Sequence, residues 1–146
     1  MPLLSLSNSL SKAYNRVTTI CIDNDFGSSH SFTGTNASVA LVSDKLSVTD
    51  SGSGGGYASR SFATHIGTTN SYSISFDAGS AGHLKIGTSG DDGTHVNTAV
   101  SGGGDPGYGV RDGTFTATTT TTHITLRVTS ASANQRWDNL VIQEDN

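Results

Sequence analysis

Acidic and amide side chains near the two ends of this chain are the residues best suited to bind a metal ion. Asp23, Asn24, Asp25 and Asp138 supply carboxylate and amide oxygens, the ligand type that Ca²⁺ prefers. Asp and Asn also accept hydrogen bonds from nearby backbone N–H groups, and so they are common in turns. We therefore expect turn-capping roles for Asp25 and Asp138, with a calcium site formed from this set of residues as the alternative.

The other candidate groups do not form a catalytic pattern. The five histidines are His30, His65, His83, His95 and His123. No two of them have the H-x-x-x-H spacing of a zinc site. Asp91 and Asp92 are adjacent in GTSGDDG, whereas a glycosidase needs its carboxylates on opposite sides of a cleft. SGSGGGYA and VSGGGDPGYG lack the lysine of a phosphate-binding loop. The sequence predicts no enzyme and no cofactor beyond that calcium.

Composition excludes further classes of function. The chain has 146 residues and a net charge of −4, and it has no cluster of lysine and arginine, so nucleic acid is not an expected partner. The single cysteine, Cys21, cannot form an internal disulfide. The first residues lack the continuous apolar run of a secretory signal, and no segment is long and apolar enough for a membrane span.

The elements that position these residues are short strands. Apolar residues alternate with polar ones in SYSISFD, HLKIG and HITLRVT, and Gly-rich segments separate the runs. This pattern predicts an antiparallel β-sandwich or barrel over residues 17–146. ASVALVS is nearly continuous in apolar residues, and we expect it at a sheet centre or buried on both faces.

We expect residues 1–16 to form a separate N-terminal arm. Its apolar side chains recur at spacings of three and four, which is typical of one face of a short helix, although an extended segment remains open. They are Leu3, Leu4, Leu6, Leu10 and Tyr14. The arm either packs on the domain or docks on another protein.

Five segments in order resemble one family. They are IDNDF (22–26), YASRSF (57–62), SYSISFDAGSAG (71–82), GTFTATTTTTHITLRVTSAS (113–132) and RWDNLVIQED (136–145). Their succession resembles the carbohydrate-binding-module-like, or galactose-binding-like, jelly rolls of secreted glycosidases and phage particles. The resemblance implies an antiparallel jelly-roll β-sandwich whose first and last strands are neighbours. It also implies that Trp137 and Val141 face the core, that Asp138 faces outward, and that a calcium would lie near Asp25 and Asp138.

We expect from this resemblance and the apolar arm a non-enzymatic structural protein of a virion. It would be a phage capsid decoration (cement) protein or a tail accessory protein, assembled in the host cytoplasm. The arm would dock on a shell or tail protein, and a homo-oligomer such as a trimer would bury further apolar surface.

The alternative is a stand-alone glycan-binding module for adhesion to a cell-surface glycan. Its contacts would come from Tyr57 and Arg60, or from Asp105, Tyr108 and Arg111. The two functions are compatible, since a decorating protein can also adhere to cell surfaces.

Overall fold

The computed structural model describes residues 18–52, 54–77, 82–100 and 108–145, and for Thr18 and Tyr108 it describes the backbone. Every regular element in these ranges is a strand. The strands are β1 (Thr18–Asn24), β2 (Thr33–Thr35), β3 (Ala37–Val42), β4 (Lys45–Asp50), β5 (Tyr57–Ala63), β6 (Thr69–Asp77), β7 (Gly82–Gly87), β8 (Val96–Val100), β9 (Tyr108–Thr116), β10 (Thr121–Val128) and β11 (Asn134–Asp145). None of the described residues belongs to a helix that could cross a membrane.

The strands form two antiparallel sheets that pack face to face. Sheet A has the order β3-β4-β11-β6-β9, and sheet B has the order β2-β5-β10-β7-β8. The long strand β11 pairs with β4 through residues 134–137 and with β1 through residues 140–145. The first and last strands are therefore neighbours, and the predicted jelly-roll β-sandwich is confirmed.

The core lies between the sheets and follows the predicted alternation. Ile74 and Phe76 of β6 face it, as do Leu84 and Ile86 of β7 and the apolar residues of β10. Trp137 is fully buried, as expected, and its ring centroid lies 6.0 Å from that of Phe76. Gly109 leaves room for that pair, because a Cβ there would lie 2.5 Å from the Phe76 ring. Close packing of this kind resists changes in side-chain volume.

Two expectations about apolar residues are wrong. The pairing of β11 with β6 shifts between Asp138 and Val141, where Asn139 has a positive φ of 48°. This bulge reverses the alternation, so Leu140 is fully buried while Val141 is half-buried. ASVALVS forms β3, which is an edge strand of sheet A and not a central one, and its residues alternate between half-buried and exposed.

A buried carboxylate joins two connections at one end of the sandwich. Asp50, at the end of β4, accepts hydrogen bonds through Oδ1 from the backbone N–H groups of Gly52 (2.7 Å), Gly54 (3.1 Å) and Ser132 (3.3 Å). Its Oδ2 accepts one from Gly56 N–H at 2.7 Å. These donors, that of Gly52 first, lower the pKa of Asp50 to about 2 by stabilising the charged form. The carboxylate thus fixes where β5 begins and ties it to the β10–β11 turn.

Leu126→Ala should lower the free energy of unfolding by about 2–5 kcal/mol, because it opens a cavity in a fully buried site. Chemical denaturation measures this change. Val110→Ala, at a residue of β9 that is 47% exposed, is the control and should have little effect. A Leu126→Ala protein as stable as the parent would contradict the assignment of the core face.

Asp50→Asn should destabilise the fold at pH 7 and flatten its acid dependence. The pKa of Asp50 is lower in the folded state than its ordinary value of 3.8, so its charge stabilises the fold above about pH 4. That stabilisation is lost as the pH falls towards 2. Thermal melts should therefore show the gap between parent and variant closing between about pH 4 and pH 2. A gap that stays constant over this range would contradict the role given to Asp50.

Candidate functional site

A polar groove runs along the β2 edge of sheet B. Its inner depression, of about 390 Å³, is lined by Ser31, Thr33, Ser59, Arg60, Ser61 and His123. Its outer depression, of about 440 Å³, is lined by Asp23, Asn24, Asp25, Ser28, Ser29, Ser31 and Arg60. The two depressions share Ser31 and Arg60, and together we call them the Arg60 groove.

The loop between β1 and β2 forms one wall of the Arg60 groove. Phe26 and Phe32 are both buried, with ring centroids 6.0 Å apart, and they anchor the two ends of the loop in the core. Asn24 Oδ1 accepts the Phe26 N–H at 2.7 Å, which helps to hold Phe26 at its positive φ of 56°. Between the two rings the chain exposes polar residues, so the serines of the loop face the groove.

Arg60 reaches both depressions because β2 is short. The three residues of β2 pair only with residues 57–59 of β5, so the edge of β5 is uncovered at Arg60. By alternation Arg60 shares the face of the buried Ala58 and Phe62, yet it is half-buried at this open edge. Within the described part of the chain, no ion pair involves its guanidinium group.

The loop at residues 88–94 lies across the outer face of sheet B. Asp92 accepts four hydrogen bonds within this loop. Its Oδ1 accepts one from the Thr94 hydroxyl (2.5 Å) and one from the Thr94 N–H (2.9 Å). Its Oδ2 accepts one from the Thr88 N–H (2.7 Å) and one from the Thr88 hydroxyl (3.0 Å). These bonds, that of the Thr94 hydroxyl first, lower the pKa of Asp92 well below its ordinary value. At physiological pH the charged Asp92 therefore ties Thr88 and Thr94, at the two ends of the loop, together.

Ion pairs fasten this loop to the sheet. Asp91 pairs with Lys85 of β7 at 2.9 Å and with Arg127 of β10, and its N–H donates to Thr125 Oγ1 at 3.0 Å. A Cβ on Gly90 would lie 3.5 Å from Ser59 Oγ and 3.9 Å from Tyr57 Oη. Since Ser59 also lines the Arg60 groove, the loop borders the inner depression.

The structure brings some of the predicted glycan contacts together. Arg60 lies in the groove, and Tyr57 lies two residues before Ser59 on the same outer face of β5, beside the 88–94 loop. Arg111 lies elsewhere, on β9 of sheet A. Its guanidinium donates to the carbonyls of Ala99 and Val110 and lies 5.2 Å from the Phe76 ring centroid.

Other predicted residues are not placed at the groove. Asp105 lies outside the described residues, and of Tyr108 only the backbone is described, paired with Asp77 of β6. The docking residues of the arm, Leu3, Leu4, Leu6, Leu10 and Tyr14, also lie outside the described residues.

The two residues predicted for calcium each accept a local backbone hydrogen bond. Asp25 Oδ1 accepts the Gly27 N–H at 3.0 Å, and Asp138 Oδ1 accepts the Asn139 N–H at 2.8 Å. These are the turn-capping bonds expected of such residues. Among the described residues no three acidic, histidine or cysteine side chains cluster as a metal site would require, and the calcium stays a prediction.

Sequence reasoning missed most of the residues that line the inner depression. Ser59 and Ser61 are the outward-facing serines of YASRSF in β5. His123 of the neighbouring strand β10 is the pairing partner of Ser61. Ser31 comes from a loop some thirty residues away in sequence. The alternation in β5 was a usable signal for Ser59 and Ser61, but their proximity to Ser31 depends on the sheet topology.

The comparisons with known proteins show the fold. No protein-family model and no curated sequence matches the chain. The xylan-binding domain CBM22-1 of Paenibacillus barcinonensis Xyn10C is similar, with a TM-score of 0.63 and 15% identity over 90% of this chain and 98% of that one. The N-terminal cellulose-binding domain of Cellulomonas fimi β-1,4-glucanase C has a TM-score of 0.65 and 14% identity over 85% and 95% of the two chains.

A third similar structure contains a bound sugar. It comprises the CBM22-1 and GH10 modules of Clostridium thermocellum Xyn10B with xylohexaose, with a TM-score of 0.61 and 16% identity over 88% of this chain and 29% of that one. The chain therefore has the jelly-roll fold of carbohydrate-binding modules. Nothing in these similarities bears on a virion, so that role stays a prediction.

Proposed function

We propose that this chain is a non-catalytic carbohydrate-binding domain that holds a glycan in the Arg60 groove. The observation that carries this proposal is the lining of the groove. Hydroxyl, amide, carboxylate and guanidinium groups converge on one open channel at the edge of a jelly-roll sheet.

This lining matches the chemistry of a sugar. Each sugar hydroxyl both donates and accepts hydrogen bonds. Ser31, Ser59 and Ser61 can do either, Arg60 donates only, and the carboxylate of Asp23 supplies acceptors. Each depression falls within the roughly 300–1,000 Å³ range that is typical of small-molecule sites. The groove is therefore large enough and polar enough for short stretches of a glycan.

The similar structures support the same proposal. They include domains described as xylan-binding and cellulose-binding, and these are binding modules and not catalytic ones. At 14–15% identity they share the fold with this chain, and the sugar that it binds has to be identified by experiment.

Hydrogen bonds should dominate the binding, because the described residues that line the groove include no Phe, Tyr or Trp. Tyr57 lies on the same outer face, beside Gly90. Hydrogen bonds to a sugar replace hydrogen bonds to water, and each yields only about 0.5–1.5 kcal/mol net. We expect affinities in the micromolar to millimolar range.

Ser61→Trp should abolish glycan binding without unfolding the domain, because Ser61 is exposed on β5 and the indole would fill the inner depression. Calorimetry against xylan, cellulose and acidic oligosaccharides measures the effect. The matched control is Thr114→Trp, at an exposed position of β9 in sheet A, which should bind like the parent.

Two results would contradict the proposal. One is a parent protein that binds none of these sugars at millimolar concentration. The other is binding that survives Ser61→Trp and is lost in Thr114→Trp, which would place the site on sheet A. Melting temperatures close to that of the parent ensure that either variant reports on binding.

A further inference from the structure

Arg60 is a half-buried cation at the centre of the groove, and no ion pair among the described residues accounts for its charge. A guanidinium group offers a planar fork of donors that matches a carboxylate in two parallel hydrogen bonds. We infer that the Arg60 groove selects a glycan bearing a single carboxylated sugar, whose carboxylate pairs with Arg60 in the inner depression. This inference rests on the proposed function and names the class of sugar.

The inner depression has the charge that such a sugar requires. Its lining contains no Asp or Glu, while Arg60 supplies a positive charge and His123 a further nitrogen. In the bordering loop, Asp91 is already paired with Lys85 and Arg127. Asp23 and Asp25, which share a depression with Arg60, line the outer one, so among the described lining no carboxylate competes for the guanidinium on the inner side. Ser59 and Ser61 flank it with hydroxyls that can bond the carboxylate or the ring hydroxyls.

The outer depression has the opposite charge. Asp23 and Asp25 line it, and Asp25 already uses Oδ1 to accept the Gly27 N–H. These carboxylates accept hydrogen bonds from neutral sugar hydroxyls, and they repel a second acidic group. The groove therefore has a direction, with the acidic sugar at Ser61 and a neutral neighbour near Asp23. A polymer with an acid on every residue fits it poorly.

Three probes test this inference by calorimetry at low salt. They are a xylo-oligosaccharide bearing one glucuronic acid, sialyllactose and tri-galacturonate, and the first two are also prepared with the carboxylate reduced to an alcohol. The two single-acid probes separate a uronic acid from a sialic acid as the source of the carboxylate. At least one of them should bind about ten- to a hundredfold more tightly than its reduced form. Tri-galacturonate should bind more weakly than that probe.

Arg60→Gln should bind the acidic probe and its reduced form alike, because the amide keeps hydrogen-bonding capacity but loses the charge. Arg60→Lys keeps the charge without the fork and should retain part of the preference. Arg136→Gln is the matched control: this arginine lies on β11 of sheet A, 44% exposed, and should leave the preference unchanged. Circular dichroism confirms that each variant is folded.

The possible results distinguish the selection of a single acidic sugar from carbohydrate binding itself, the proposed function on which this inference rests. If the parent binds acidic and reduced probes equally, or tri-galacturonate most tightly, the selection of a single acid is overturned while carbohydrate binding stands. If it binds no probe, acidic or neutral, both are overturned. A preference that persists in Arg60→Gln would place the acid elsewhere and also overturn the inference.

Discussion

The carboxylate of Asp50 is the interaction on which the rest of the sandwich depends. It accepts four backbone N–H groups from two separate stretches of chain, the β4–β5 connection and the β10–β11 turn. Both stretches cross from one sheet to the other, so a single buried charge fixes how the sheets are joined at this end. Gly56 must be glycine here, because a Cβ would lie 2.3 Å from Asn36 O and 2.8 Å from Asp50 Oδ2.

The Arg60 groove follows from that constraint. Fixing Gly56 sets the start of β5, and strand alternation then directs Tyr57, Ser59 and Ser61 to the outer face. Two further features form the walls of the groove. The buried rings of Phe26 and Phe32 hold the serine-rich loop on one side, and the ion-paired 88–94 loop closes the other. Each wall is held by core packing or by paired charge, so the groove is formed before a ligand arrives, which limits the entropy lost on binding.

The sequence predicts much of this fold because alternation is a local signal. The period of two in SYSISFD and HITLRVT places Phe76 and Leu126 correctly, and Trp137 is in the core as expected. The prediction that Val141 faces the core is wrong because a bulge at Asn139 shifts the register. The amino-acid composition of the strand does not indicate such a bulge. The prediction that ASVALVS lies at a sheet centre is wrong because an apolar edge strand and an apolar central strand have the same sequence pattern.

The candidate site is less predictable because it is assembled from distant segments. YASRSF contains Arg60, which we considered a glycan contact, but nothing in the sequence brings it next to Asp25 and Ser31. Arg111 is also an arginine that the sequence predicts as a glycan contact. Its surroundings in the fold direct it to the Ala99 carbonyl and the Phe76 ring. The difference between the two arginines depends on strand order, and strand order is a property of the whole chain.

Mapping the ligand contacts by NMR tests the central claim most directly. Amide chemical shifts of ¹⁵N-labelled protein would be followed during titration with the uronic-acid xylo-oligosaccharide. The account predicts that shifts concentrate on residues of the Arg60 groove, with Ser31, Ser59 and Ser61 the most affected and Ser71 and Thr114 of sheet A unchanged. Shifts concentrated on the outer face of sheet A, with the groove unchanged, would contradict it.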